Sequence, residues 1–211
     1  MTTFQGIAPG AFEFYEELQD NNNREWWQEH KDSYQFPVRE PLASLLAELE
    51  PRFGPAKLFR AHRDIRFSVD KSPYKTVQGA VAQVQEGVGH YLQISADGLL
   101  VGGGYHSHTP AQLARYRNSV DASGTGESLR HILDAVTAAG FAVEGEKLKT
   151  VPQGYSRDHP RAELLKHKSL SAGVNLGRPD WLATPAAIQH VADLWEDLRP
   201  LVDWVSRHAG P

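Results

Sequence analysis

The segment HYLQISADGLLVGGGY, residues 90–105, constrains the fold more than any other part of the chain. Asp97-Gly98 sits between two β-rich runs, and both residues tolerate positive φ, so the chain is expected to reverse there in a tight antiparallel hairpin. The run TVQGAVAQVQ just before it has the same character. Together they predict an antiparallel meander over roughly 57–105.

Helices are expected on both sides of this meander. Ala11, Phe14, Tyr15 and Leu18 recur at helical spacing. Asn22 followed by Glu25 reads as a capping box, opening a helix that carries Trp26, Trp27, His30 and Tyr34 and stops at Pro37. A third helix starts near Pro41, with Leu42, Leu45, Leu46 and Leu49 on one stripe. After the hairpin, Thr109-Pro110 opens a helix facing inward through Leu113, Tyr116 and Val120. Leu129, Ile132, Leu133 and Val136 form the next stripe, closed by Gly140. FAVEG reads as a short strand and 147–180 as irregular. A last helix starts at Thr184-Pro185 and buries Ile188, Val191, Trp195 and Leu198, with Pro200 kinking or restarting it. The fold class is α+β, an antiparallel sheet packed with N-terminal and C-terminal helices. No shift in composition divides residues 1–211, so one domain is expected.

A chain of 211 residues can bury a core without covalent staples. Cysteine is absent, which excludes disulfides and thiolate metal sites. The first twenty residues are acidic and interrupted by Gly6, Pro9 and Gly10, unlike a secretory leader. No apolar run approaches the length of a membrane span. These readings place the chain in the cytoplasm, with no membrane partner. A net charge of −4 argues against general nucleic-acid binding. No cofactor fingerprint is evident.

Against that acidic total, FRAHRDIRFSVDKSPYKT (59–76) holds five cations, Arg60, Arg63, Arg66, Lys71 and Lys75, and two carboxylates, Asp64 and Asp70. As a strand, Arg60, His62, Asp64 and Arg66 would share a face; as a helix, the three arginines would line one side. Either way guanidinium groups converge, and guanidinium suits bidentate recognition of carboxylate or phosphate. Pro73 stiffens the turn that presents Lys71, Tyr74 and Lys75. Each charge-assisted bond to an anion is worth about 1.5–3 kcal/mol. Association costs about 4 kcal/mol or more, so a micromolar-to-millimolar ligand fits this run. The competing reading is an ion-pair network that ties a connector to the sheet.

The string R-x-x-R-D-x-R-F followed by D-K-x-P-Y-K resembles the signature of a domain-of-unknown-function family (family 2461) of bacterial proteins and fungal domains. NNNREWW, HYLQISADGLLVGGGY and LKTVPQGYSRDHPRAELLKHKSL are similar to further elements of that family, so the resemblance covers nearly the whole chain. It brings no reaction with it. It implies candidate positions at Arg60, Arg63, Asp64, Arg66, Phe67, Asp70, Lys71, Tyr74 and Lys75.

Other constellations are weaker. Lys147, Lys149, Tyr155, Arg157, His159, Lys166, His167 and Lys168 form a second basic cluster. It either shares an anion pocket with the first, Lys168 included, or is a separate solvated patch. His106 and His108 point the same way in an extended chain, but two imidazoles do not complete a metal site. Gly102 to Gly104 mark a bulge or a close backbone approach, since no P-loop lysine follows. The tryptophans read as core, with Trp27 kept as a candidate ligand platform.

The expected function is therefore binding of an anionic small molecule through Arg60, Arg63, Arg66, Asp70, Lys71, Tyr74, Lys75 and Lys168. If the protein turns its ligand over, His62, Asp64 and Tyr74 are the candidate proton carriers. The alternatives are a non-catalytic interaction module whose Arg/Asp motif is structural, and single-stranded nucleic-acid binding through Arg, Lys and aromatics.

Overall fold

The hairpin at Asp97-Gly98 lies in a six-stranded antiparallel sheet, seen in a computed structural model that describes residues 3–66, 69–106 and 108–210. The chain begins with α1 (Gly10–Asp20), α2 (Arg24–Glu29) and α3 (Lys31–Tyr34), passes through a π-helical turn over Gln35–Arg39, and enters α4 (Glu40–Phe53). β1 (Ala56–Leu58), β2 (Val77–Gln85), β3 (Val88–Ser95) and β4 (Gly98–Tyr105) follow. Then come α5 (Pro110–Asp121), α6 (Ser123–Ala138), β5 (Ala142–Glu144), α7 (Ala162–Leu165) and β6 (Leu170–Gly177). A 3-10 turn over Asp180–Ala183 leads into α8 (Ala187–Ala209). The strand order is β1-β2-β3-β4-β6-β5. The α+β class and the meander stand as read from the sequence.

Several local expectations change. Pro37 does not end the helix, because the chain keeps coiling through the wider π turn. That turn relieves the clash between the pyrrolidine ring and the preceding carbonyl. The hairpin turn residues are Ala96 and Asp97, one position earlier than expected. Asp97 donates its N–H to Ser95 Oγ at 3.1 Å, and only Gly98 takes positive φ, at +107°. A Cβ there would lie 2.0 Å from the carbonyl oxygen of Gly177, so no side chain fits.

The strand β6 lies inside the stretch expected to be irregular. Its sequence LSAGVNLG holds two glycines and an asparagine and lacks clean alternation, so its strand character comes from pairing rather than pattern. The triple glycine lets it in. A Cβ on Gly102 would sit 3.0 Å from the Ala172 oxygen, and one on Gly104 would sit 2.4 Å from the Leu170 oxygen. This is the close backbone approach expected for 102–104.

Pro200 neither stops nor restarts α8, which runs through it. A proline inside a helix costs about 3 kcal/mol. Leu198, Leu201, Val202, Trp204 and Val205 are all buried around it. At about 1.5–3 kcal/mol each, their burial outweighs the lost bond.

Two compact units emerge from the contacts: residues 1–82, 91–101 and 175–192, and residues 83–90, 102–174 and 193–211. In the first, Phe4, Ile7, Phe14, Tyr15, Leu18, Leu42, Leu45 and Leu49 are buried, and Ile7 N–H bonds the Leu182 carbonyl at 2.8 Å. In the second, Tyr105, Tyr116, Leu129, Val136, Trp195 and Trp204 are buried. Trp204 Nε1 donates to the Thr125 carbonyl at 3.1 Å, and Tyr116 Oη to that of Leu164 at 2.9 Å. Thr109 and Gln112 form the capping box that starts α5. Among the described residues, no helix is long and apolar enough to cross a membrane.

Candidate functional site

The basic run 59–76 is the connection between β1 and β2, and its arms are extended rather than helical. His62 bridges Tyr74 in antiparallel fashion. Arg63 N–H donates to the Pro73 carbonyl at 2.9 Å, and Lys75 N–H to that of Ala61 at 2.8 Å. The last ladder pair of β1 and β2 is Leu58 with Ala80. Between that pair and the His62–Tyr74 bridge lie three residues on one arm (59–61) and five on the other (75–79). The mismatch bulges the second arm. Gln78, 1 % exposed, repairs it. Its Nε2 donates to the carbonyls of Phe59 (2.8 Å) and Gly79 (3.0 Å), and its Oε1 accepts from Tyr34 Oη at 2.6 Å.

Cross-strand partners share a face. Arg63, Ala61, Pro73 and Lys75 therefore occupy one side of the loop, and His62 and Tyr74 the other. Arg60, two residues before His62, falls on the His62 side and is exposed.

A clamp from the N-terminal helices holds the Tyr74 side. Asn22 Nδ2 donates to the Tyr74 carbonyl at 2.9 Å, and Tyr74 N–H donates to Asn22 Oδ1 at 3.1 Å. A side-chain amide thus pairs with a peptide as a neighbouring strand would. The indole of Trp27 stacks on the Tyr74 ring at 4.0 Å and 7°. Asn22 is consequently not the helix cap expected from the sequence. Asn23 is, accepting from Trp26 N–H at 3.0 Å. Asn and Asp are equally good caps, but only an amide both donates and accepts toward a peptide. Asn22→Ala is expected to lower stability by about 1–3 kcal/mol by orphaning the Tyr74 peptide, measured as a lower urea midpoint with an unchanged slope. An unchanged midpoint would remove the clamp.

Most charges in the loop are answered inside it. Asp70 accepts from Ser72 N–H (2.9 Å) and Ser72 Oγ (2.7 Å), and Arg63 Nη1 bonds its other oxygen. The Ser72 bonds, before the Arg63 charge, hold the Asp70 carboxyl below the usual range. Arg66 grips Asp64 through Nε (3.0 Å) and Nη2 (2.7 Å), and these bonds lower the Asp64 pKa. Lys71 Nζ donates to the Ile65 carbonyl at 2.9 Å. The Lys75 ammonium lies 5.4 Å over the Phe59 ring. Phe67 lies outside the described residues. One donor is left over: Arg63 Nε is buried and meets no acceptor among the described residues.

The candidate proton carriers are placed unequally. His62 is exposed, with its ring 4.9 Å from that of Tyr74. Tyr74 is 2 % exposed beneath Trp27. The Asp64 carboxylate is occupied by Arg66. Trp27, kept as a ligand platform, is 6 % exposed and belongs to the clamp.

Lys168 belongs to the second unit, where it pairs with Glu146. Two more members of that basic cluster are answered nearby: Lys166 by Glu163 at 2.5 Å and His159 by Asp121 at 3.2 Å. His106 is exposed, whereas the His108 ring stacks on Tyr105 at 3.5 Å. Among the described residues, no group of three or more histidines and carboxylates is placed to hold a metal.

Sequence reasoning did not assign Asn22 or Gln78 to this loop. Both act at long range, and no local pattern announces a side-chain amide paired with a distant peptide. The family described as conserved hypothetical protein (DUF2461) matches residues 10–204, a stretch that includes the loop and its clamp. No curated protein matches the chain.

Proposed function

We propose that this chain, which belongs to the conserved hypothetical protein family DUF2461, binds a small anionic ligand bearing phosphate or carboxylate on the loop face that carries Arg63 and Lys75. The observation that carries this reading is the Arg63 Nε–H. It is buried with no acceptor among the described residues, in a loop where Asp64, Arg66, Asp70 and Lys71 are all answered. Leaving a buried charged donor unsatisfied costs about 1–3 kcal/mol or more. A ligand oxygen removes that cost on binding, so the free loop is poised for an acceptor. Lys75 stands on the same face and diagonally across the arms, within reach of a long side chain. Its only described partner is the Phe59 ring. Asp70 holds Arg63 by Nη1 and not by Nε. Arg60 adds positive charge from the opposite face. In this reading Arg66, Asp64, Asp70 and Lys71 shape the loop, and Tyr74 anchors it.

A second reading has its own support. The Arg63–Asp70 and Arg66–Asp64 pairs and the Lys71–Ile65 bond close the loop on itself, as a structural strap would require.

Thermal unfolding separates the two. With inorganic phosphate or acetate at about 100 times the dissociation constant, the wild type is expected to melt a few degrees higher. Arg63→Ala is expected to keep its fold and lose that shift. A strongly lowered melting temperature in Arg63→Ala, with no anion shifting the wild type, would transfer the motif to the structural reading.

A further inference from the structure

We infer that a groove between α6 and α8, within the second unit, is a docking site for a basic amphipathic helix of a partner protein. Its α6 wall is a continuous stripe: Ser128, Ile132, Ala135 and Ala139 recur three or four residues apart and all line it. From Gly124 to Ala139 that wall is about 22 Å long. Asp197 and Pro200 of α8 line the other side. The hollow measures about 680 Å³ and opens to solvent. A second hollow of about 390 Å³ shares Ser128, Ile132 and Pro200 and continues along α8 to Trp204 and His208. Trp204 Nε1 donates to the Thr125 carbonyl at 3.1 Å and ties the two walls together. The groove is therefore formed before anything enters it, which lowers the cost of binding.

Two observations mark this surface as one that takes a partner. Leu129, Leu133 and Val136 carry α6 into the core. Ile132 belongs to the same apolar stripe, yet it is only half-buried and lies in the groove. A helix whose apolar side chains extend past its core-facing side has more surface to cover. The charge is also one-sided. Glu127, His131 and Asp197 line the larger hollow, and no lysine or arginine does. Glu127 is engaged by Arg130 and Arg161, neither of which lines the groove. Asp197 is exposed and has no hydrogen bond or ion pair among the described residues.

These features select the occupant. The walls are helices and offer no sheet edge, so an extended strand finds nothing to pair with. A second copy packed by a twofold axis would bring the same unpaired carboxylate and no cation to meet it. A small molecule would leave much of its surface in water in so open a trough. A helix with apolar side chains at i, i+3, i+4 and i+7 covers Ile132, Ala135 and Pro200, and a lysine or arginine on its flank meets Asp197. None of this depends on the 59–76 loop, which belongs to the first unit.

The test uses the full chain, 15N-labelled, and a synthetic helical peptide of leucine, alanine and lysine, about four turns long, with its leucines on one face. Amide shifts are expected to saturate and to cluster at 124–139 and 197–208. A scrambled peptide of the same composition, and one with glutamate in place of lysine, are expected to bind at least about tenfold more weakly. Ile132→Ser and Asp197→Lys should each weaken the first peptide about tenfold or more, through loss of apolar contact in one and reversal of charge in the other. Asp197 is exposed and unpaired, so Asp197→Lys should melt with the wild type. The absence of saturating shifts, shifts that cluster elsewhere, equal binding of the scrambled peptide, or unchanged binding by Asp197→Lys would each overturn the assignment. Concentration-dependent dimerisation of the wild type that Ile132→Ser abolishes would also overturn it, and would give the groove to a second copy.

Discussion

Trp27→Ala is expected to destabilise the protein by about 3–5 kcal/mol, as for other buried aromatic truncations. The indole is 6 % exposed and packs flat on Tyr74 at 4.0 Å. It also meets Phe14 at 5.7 Å and Tyr34 at 5.0 Å. Removing it opens a cavity that Tyr74 cannot fill, because Asn22 fixes the Tyr74 backbone. The loss should not be confined to global stability. Trp27 is the helix-side anchor of the basic loop, so its removal should loosen 59–76 while the helices remain. Trypsin, which cuts after Arg and Lys, is expected to nick this loop faster in Trp27→Ala than in Trp27→Phe. A denaturant midpoint equal to the wild type, or nicking elsewhere first, would show that the loop does not depend on this stack.

His90 gives the second large effect, through pH. Its ring is 2 % exposed and lies 5.4 Å from that of Trp195. Burial first, and the Arg199 charge second, lower its pKa from 6.5 to about 4. Between those values the unfolded chain takes up a proton that the folded chain refuses. Stability from this group is therefore complete above about pH 6.5 and is lost as pH falls toward about 4. The full loss is about 3 kcal/mol for one histidine. Asp64 and Asp70 also have depressed values, but they lose their contribution as pH falls below the usual carboxylate range, beneath the histidine window. Urea midpoints for the wild type should fall across the histidine window, and those of His90→Gln should fall much less. Parallel losses in the two proteins would assign the acid sensitivity to other groups.

The legibility of this fold followed the range of the forces involved. Periodic burial and capping act within a few residues, so α1, α4, α5 and α6 could be read from apolar stripes and from Thr109-Pro110. The meander could be read from its alternation and its turn dipeptide. β6 could not, because LSAGVNLG becomes a strand only when the glycines of β4 admit it. The continuity of α8 through Pro200 was hidden for a similar reason: local propensity argues for a break, and burial on both sides of the proline prevails.

The candidate site divides in the same way. The sequence by itself determined that five cations and two carboxylates crowd residues 59–76 of an acidic chain, and that Pro73 stiffens the turn there; that this run connects β1 to β2 came from the structure. The sequence also identified the second basic cluster. Only the tertiary structure decided which charges are already satisfied. Arg66 goes to Asp64, Lys71 to a carbonyl, and Arg63 to Asp70 by one nitrogen, leaving Nε buried without an acceptor among the described residues. It also decided that Tyr74 is an anchor beneath Trp27, and that Asn22 clamps a peptide more than fifty residues away instead of capping its own helix. Composition states how much charge a segment carries. Whether a donor has met its acceptor depends on distances of about 3 Å between groups remote in sequence, and those exist only in the folded chain.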